Sequence, residues 1–328
     1  GGLNRHGFWQ QNGRPPVFNY INHKFRVPGD QPGETVRPPV PSSTDRLVFA
    51  AAAFTGAAVC YSDPPPSGPD GLLGIWDELR RGAENRLGWL GRPLGPAVRL
   101  AAGGADLLGS TDLAPRLAGT NVRSIVEQGG LKVEGTDPGA SELRFRLQDI
   151  PGAGPDLVVL VTARAAPLRG YPPEVARMLH VGAAPRGAAP AASARFMTWV
   201  NAREFTSGFY WADLASDRID LEFVMEGPEP LWIGRVEAYA HPYVMYREFE
   251  QGLVLANPSR RPCTFELARL FPGQRFRRLA GLPNQDPQIN DGSAVGAEVT
   301  LASQDALFLV RRVNVERSTG TTVGGGLP

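Results

Sequence analysis

The sequence predicts a mainly β protein with an α/β N-terminal part, and three observations carry that prediction. Glycine and proline are heavily used, 39 and 31 of 328 residues, too many for a helix bundle and typical of turn-rich β structure. From about residue 120 onward, apolar and polar residues alternate with period two. The first hundred residues instead follow a helix, strand, loop order.

In that first stretch, Thr44 and Asp45 cap a predicted helix over residues 46–54, which is apolar on nearly every side and therefore buried. Thr55-Gly56 ends it, residues 57–61 form a short inner strand, and Pro64-Pro65-Pro66 opens a loop. Further helices are expected at 72–81 and 96–102, the second stopped by Gly103-Gly104, and another strand within 14–22.

The β part begins with half-buried strands. Leu143, Phe145 and Leu147 alternate with Arg144, Arg146 and Gln148, and Ile219, Leu221 and Phe223 alternate with Asp220 and Glu222. A continuous apolar run at 156–163 suits a sandwich-core strand, and 231–240 closes a β-sandwich placed at about 120–242. Five short strands follow, at 253–256, 265–267, 276–279, 298–301 and 306–310. They are separated by turn signals at Asn257-Pro258-Ser259, Pro272-Gly273 and Asn290-Asp291-Gly292. Residues 312–328, with three consecutive glycines, cannot bury a core and are expected to form an extended arm or tail.

Composition excludes several function classes. With 34 basic and 33 acidic residues and no block of like charge, the chain lacks a nucleic-acid footprint. Only Lys24 and Lys132 are lysines, an arginine preference that reads as genome composition rather than as a phosphate-binding surface. The longest uncharged stretch, 47–61, is short of the roughly 20 residues that span a bilayer. Cys60 and Cys263 have no ligand-like spacing and read as two buried free thiols. The chain starts at Gly1 without a methionine or a signal-like run, which reads as the continuation of something longer. His6, His23, His180 and His241 form no metal or triad pattern, and no nucleotide loop or nucleophile elbow occurs, so neither cofactor nor metal is expected. The stretch 286–292 superficially has the look of a calcium loop but lacks the bidentate glutamate, and reads as a hairpin turn.

Two sets of residues suit carbohydrate. Trp76-Asp77-Glu78 places an aromatic face beside two carboxylates, and tryptophan stacks on sugar faces while acids bond hydroxyls or transfer protons. Adjacent acids point about 100° apart on a helix and do not easily flank one glycosidic bond, so an exposed first helical turn is the competing reading. Trp199, Tyr210, Trp211 and Trp232 form a second set, a stacking platform or else core. If Phe209-Tyr210-Trp211 is extended, Tyr210 points opposite to its neighbours, so at least one of them faces outward.

In order along the chain, residues 46–61, Trp76-Asp77-Glu78, the run Trp89-Leu90-Gly91-Arg92-Pro93-Leu94-Gly95, and the phrase from Arg247 through Gly252-Leu253-Val254-Leu255-Ala256-Asn257-Pro258-Ser259 resemble the C-terminal part of glycoside-hydrolase-like proteins. The resemblance covers about half the chain and implies the end of a (β/α)8, TIM-like barrel in residues 1–104, with a tryptophan-acid-acid loop after the eighth strand. It further implies an inserted jelly-roll-like β-sandwich at 105–242, similar to carbohydrate-binding ones, and a C-terminal antiparallel β-sandwich at 243–311. Two barrel units leave a parallel edge open, so an upstream segment or another chain is expected to close it. Asp77 and Glu78 are the candidate catalytic acids by residue type, while the resemblance implies at most substrate contact for Trp76, Asp77 and Glu78; Asp63 and Asn19 are further candidate ligand contacts beside Trp199, Tyr210 and Trp211. In such barrels the acids sit at the ends of the fourth and seventh strands. Here the fourth is absent, and the end of the seventh, 17–22, offers Asn19, Asn22 and His23 but no carboxylate. The expected function is a carbohydrate-related protein, extracellular or periplasmic, that binds or processes a polysaccharide or oligosaccharide. The alternative is a non-catalytic structural or interaction subunit of a larger assembly.

Overall fold

A computed structural model describes residues 2–23, 41–61, 90–109, 112–127, 130–152, 154–214, 216–280 and 288–311. The predicted helix at 72–81 and the tail at 312–328 lie outside these residues. The described chain is mainly β, arranged as a two-layer sandwich, a second antiparallel sheet, and a small α/β unit wedged between them.

The N-terminal part comprises helix α1 (Gly2–Asn12), strand β1 (Tyr20–His23), helix α2 (Ser42–Thr55) and strand β2 (Ala58–Tyr61). β1 and β2 pair in parallel, Tyr20 opposite Ala58, as expected of consecutive β/α units. α2 ends where predicted, with Gly56 in the left-handed region at φ 65° and its N–H directed to the Ala52 carbonyl. Its start lies earlier than predicted: Pro41 is the N-cap, and Asp45 is buried in the first turn. The strand expected within 14–22 is confined to β1, because consecutive prolines at 15 and 16 remove two ladder donors.

The sandwich holds ten strands: β4 (Leu117–Ala118), β5 (Val122–Glu127), β6 (Gly130–Gly135), β7 (Glu142–Pro151), β8 (Asp156–Ala165), β9 (Arg177–Pro185), β10 (Arg195–Val200), β11 (Phe205–Ala212), β12 (Arg218–Glu226) and β13 (Leu231–Tyr239). One sheet runs β10-β9-β12-β7-β4 and the other β11-β8-β13-β6-β5. The predicted alternation is realised: Leu143, Phe145, Leu147, Leu221 and Phe223 fill the core between the sheets, and Phe145 stacks on Phe223 at 5.0 Å. Each such side chain contributes about 1.5–3 kcal/mol by leaving water.

The C-terminal sheet runs β17-β19-β15-β14-β3, built from β3 (Val98–Arg99), β14 (Met245–Phe249), β15 (Gly252–Asn257), β17 (Phe276–Arg278) and β19 (Asp305–Arg311). A two-stranded ribbon of β16 (Cys263–Phe265) and β18 (Val299–Leu301), with the helical turn α3 (Leu267–Leu270), covers one face. Two expectations are corrected here. Residues 96–102 are not a helix: Val98–Arg99 pairs with Met245 and Tyr246, and only a 3-10 turn, Leu100–Gly103, follows. The alanine-rich run is too short to nucleate a helix when a free strand edge is at hand. The strand expected at 265–267 ends at Phe265, and α3 takes Leu267. Cys263 is free and half-buried; the side chain of Cys60 lies outside the described residues.

α2 joins the three parts. Phe49, Ala50 and Phe54 share one apolar cluster with Val158 and Leu160 on the outward face of β8, and with Val254, Ala256 and Phe308 of the C-terminal sheet. The sandwich is therefore not an independent bead: α2 and the C-terminal sheet cover part of the outer face of β11-β8-β13-β6-β5, whereas the outer face of β10-β9-β12-β7-β4 is flanked by α1 and overlain at Gly182 by the Pro190 loop. No described helix is long and apolar enough to cross a membrane.

Candidate functional site

The exposed face of the sheet β10-β9-β12-β7-β4 is built by alternation. On β9, Leu179 and Val181 enter the core, so Met178 and His180 turn outward. On β10, Met197 and Trp199 turn outward in the same way. The register sets Trp199 beside Met178, and Met197 beside His180, Val224 and Arg144 in one row across four strands. Trp9 of α1 stands next to Trp199, ring centroids 6.1 Å apart, and is 37% exposed. The Trp199 indole N–H is buried and finds no acceptor among the described residues.

The adjacent row is charged. Glu222, 4% exposed, receives Arg195 Nη2 at 2.9 Å, Arg144 Nη1 at 3.4 Å and Arg146 Nη2 at 3.5 Å. Arg144 also donates from Nε to Glu142 at 2.8 Å, and this hydrogen bond holds its guanidinium even more firmly protonated. Glycine at 182 completes the row for a steric reason: a Cβ there would stand 2.9 Å from Pro190, whose loop lies over the strand. A cleft of about 410 Å³ opens beside Arg144 and Arg146, lined also by Thr120 and Asn121. The face thus sets an aromatic and thioether row against planar hydrogen-bonding groups, the two kinds of surface a pyranose ring presents.

The predicted residues divide sharply. Trp199 lies on this face. Trp211 does not: it is buried in the sandwich core at 4% exposure, donates from its indole to the Ala194 carbonyl at 2.7 Å, and packs on Phe196 and Phe209. Tyr210 points opposite to Phe209 and Trp211, as alternation requires, but meets the C-terminal unit rather than solvent. Its hydroxyl donates to Asp156 at 2.5 Å and accepts from the Arg260 N–H at 3.2 Å. Burial and the bond to Asp156 push it up to about 12. Asn19 is held by His6 of α1 through two hydrogen bonds, its Nδ2 donating to the His6 carbonyl at 2.9 Å and its Oδ1 lying 2.8 Å from Nδ1. Trp232 carries the Arg164 guanidinium over its ring at 4.2 Å, with the Lys132 ammonium 5.6 Å from the ring centre, and donates to Glu127. Asp63, Trp76, Asp77 and Glu78 lie outside the described residues.

Met178, Met197 and His180 were not singled out from the sequence. Their signal was the alternation in Met178-Leu179-His180-Val181, weakened by Gly182 and two alanines that lower the strand's apparent β character. Among the described residues, no group of three acidic, histidine or cysteine side chains is placed to hold a metal ion.

No family model matches the chain, and no curated protein matches it. Similar solved structures include one described as "CBM4 structure and function", 15% identical over 40% of this chain and 82% of that one, with a TM-score of 0.29. A second is TmCBM61 in complex with beta-1,4-galactotriose, 10% identical over 42% of this chain and all of that one, with a TM-score of 0.30. The agarase AgWH50C is 11% identical over 45% of this chain and 25% of its own length, with a TM-score of 0.29. All three scores are low, and the sandwich stands on strand order and register alone.

Proposed function

We propose that this protein binds a polysaccharide on the open face of the β10-β9-β12-β7-β4 sheet, as the C-terminal portion of a glycoside-hydrolase-like chain acting outside the cell or in the periplasm. The observation that carries the reading is the patch of two adjacent cross-strand pairs, Trp199 with Met178 and Met197 with His180, partly exposed on the outer face of the sheet and next to Arg144 and Arg146. Trp199 supplies the stacking surface, and Arg144 and Arg146 donate to ring hydroxyls. In this reading Asp63 and Trp76 remain candidate sugar contacts and Asp77 and Glu78 the candidate acids, by their residue types and sequence order alone. Affinity electrophoresis of the intact protein through β-1,4-galactan, agarose, xylan and mixed-linkage glucan tests it: retardation by at least one, abolished in Trp199→Ala, is expected. Migration unchanged by all four removes the reading.

A second reading, an interaction subunit, is favoured by one observation. β1 and β2 each keep an unpaired edge among the described residues, and beside them Phe18 and Tyr20 are 83% and 53% exposed. A segment or chain that adds parallel strands would cover both. A stoichiometric complex with no polysaccharide affinity would select this reading.

A further inference from the structure

The protein holds a further recess, on the other sheet, with α1 between it and the open face: Gly7 and Gln11 line the recess, while Trp9 stands beside Trp199. Where α1, the end of α2, β3 and the outward side of β8 and β11 meet, a cavity of about 530 Å³ remains. Its floor is the cross-strand pair Thr162 and Thr206, whose hydroxyls are 2.8 Å apart. Phe54 and Phe205 supply apolar wall, and Arg99 and Glu204 supply charge, Glu204 at the exposed rim.

Arg99 is placed with unusual care. Its Nε donates to the Tyr243 hydroxyl at 2.9 Å, and both groups rest on Gly208. A Cβ on that glycine would stand 2.7 Å from the Tyr243 oxygen and 3.0 Å from Arg99 Nε, so only glycine admits the pair. Asn4 of α1 fixes Gly208 from the strand edge, donating to its carbonyl and accepting its N–H, both at 2.9 Å. No carboxylate among the described residues makes an ion pair with Arg99, and its side chain is part of the cavity lining. A half-buried guanidinium held at one nitrogen is a preorganised donor fork.

We infer that this junction cavity is a binding site for a mono- or disaccharide. The volume suits one or two pyranose rings, within the usual range of small-ligand sites at unit boundaries. Arg99 donates to vicinal hydroxyls, the threonine pair both donates and accepts, Glu204 accepts at the rim, and the two phenylalanines meet the C–H face of the ring. The ligand also adds contacts between α1, α2 and the sandwich, so its binding raises the stability of their junction.

The recess and the open face share α1 but differ in their contact residues, and the test separates them. Thermal unfolding and calorimetric titration are run on the intact parent, Trp199→Ala, Arg99→Gln and Thr162→Val, with galactose, galactobiose, xylobiose, cellobiose and galacturonic acid as probes. The expected result is that at least one probe binds Trp199→Ala with parental affinity and raises its unfolding midpoint, while Arg99→Gln weakens binding at least tenfold. Thr162→Val, which leaves the Tyr243 bond intact, weakens it severalfold and covers the case in which Arg99→Gln does not fold. The inference is overturned if no probe binds Trp199→Ala, if folded Arg99→Gln or Thr162→Val keeps full affinity, or if free amino acids bind there in preference to every sugar.

Discussion

The Arg46 guanidinium on α2 donates from Nε to the Asp305 carboxylate on β19 at 2.8 Å, both side chains about nine-tenths buried, and to the Ala306 carbonyl at 3.1 Å. This pair joins segments 259 residues apart. Arg247 reinforces the same junction by donating to the Ala53 and Phe54 carbonyls at the end of α2. The α/β unit and the C-terminal sheet therefore share one core and one charge pair. Arg46→Ala leaves the buried Asp305 carboxylate without its guanidinium partner and is expected to cost about 3–5 kcal/mol in urea unfolding. An Arg46→Met, Asp305→Leu double variant is expected to recover much of that loss.

Two tryptophans that look alike in the sequence are expected to separate by phenotype. Trp211→Ala empties a packed core position and costs about 3–5 kcal/mol of stability, with polysaccharide affinity unchanged in the fraction that folds. Trp199→Ala is expected to do the reverse, losing at least tenfold in affinity at a smaller cost in stability. Chemical denaturation and affinity electrophoresis on the two variants check both halves.

Alkaline pH probes the seam between the sandwich and the C-terminal sheet. Tyr210 is pushed up to about 12 by burial and by its bond to Asp156, against an ordinary value near 10. The folded state holds the proton more tightly, so the contribution is complete below about pH 10 and is lost as pH rises toward 12. Stability is expected to fall across that window, and Tyr210→Phe is expected to flatten the fall. Urea midpoints measured at stepped pH values report it.

Asn257 gives the Asn257-Pro258-Ser259 turn its physical meaning. Fully buried, it donates to the Arg261 and Ala302 carbonyls at 2.8 Å and accepts from the Ser259 N–H at 3.1 Å. Asn257→Ala leaves three backbone groups without partners and is expected to cost at least about 2 kcal/mol. Asn257→Asp is expected to recover only the Ser259 bond.

Strand content was legible because a sheet with one buried face writes period two into the chain, as in the alternation around Phe145 and Phe223. Helix α1 was not, because its buried stripe is Asn4, Phe8 and Asn12, and two asparagines conceal an inward face. Asn4 is inward because it satisfies the free edge of β11, a demand set by a residue 204 positions away. The site follows the same division. Alternation placed Tyr210 opposite Trp211, but whether an outward face meets water or another sheet depends on packing that no local window contains. Tyr210 is covered by the C-terminal unit, whereas Trp199 packs beside Trp9 and stays partly exposed.

Polysaccharide binding on the outer face of the β10-β9-β12-β7-β4 sheet, proposed above, makes a direct demand on Trp199. Calorimetric titration of the intact protein and of Trp199→Ala with the polysaccharide that retards it in gels tests this most directly. Saturable binding by the parent, weakened at least tenfold in a Trp199→Ala variant of parental stability, is the predicted result. Undiminished binding by that variant, or no heat from the parent with any of the four polysaccharides, would contradict it.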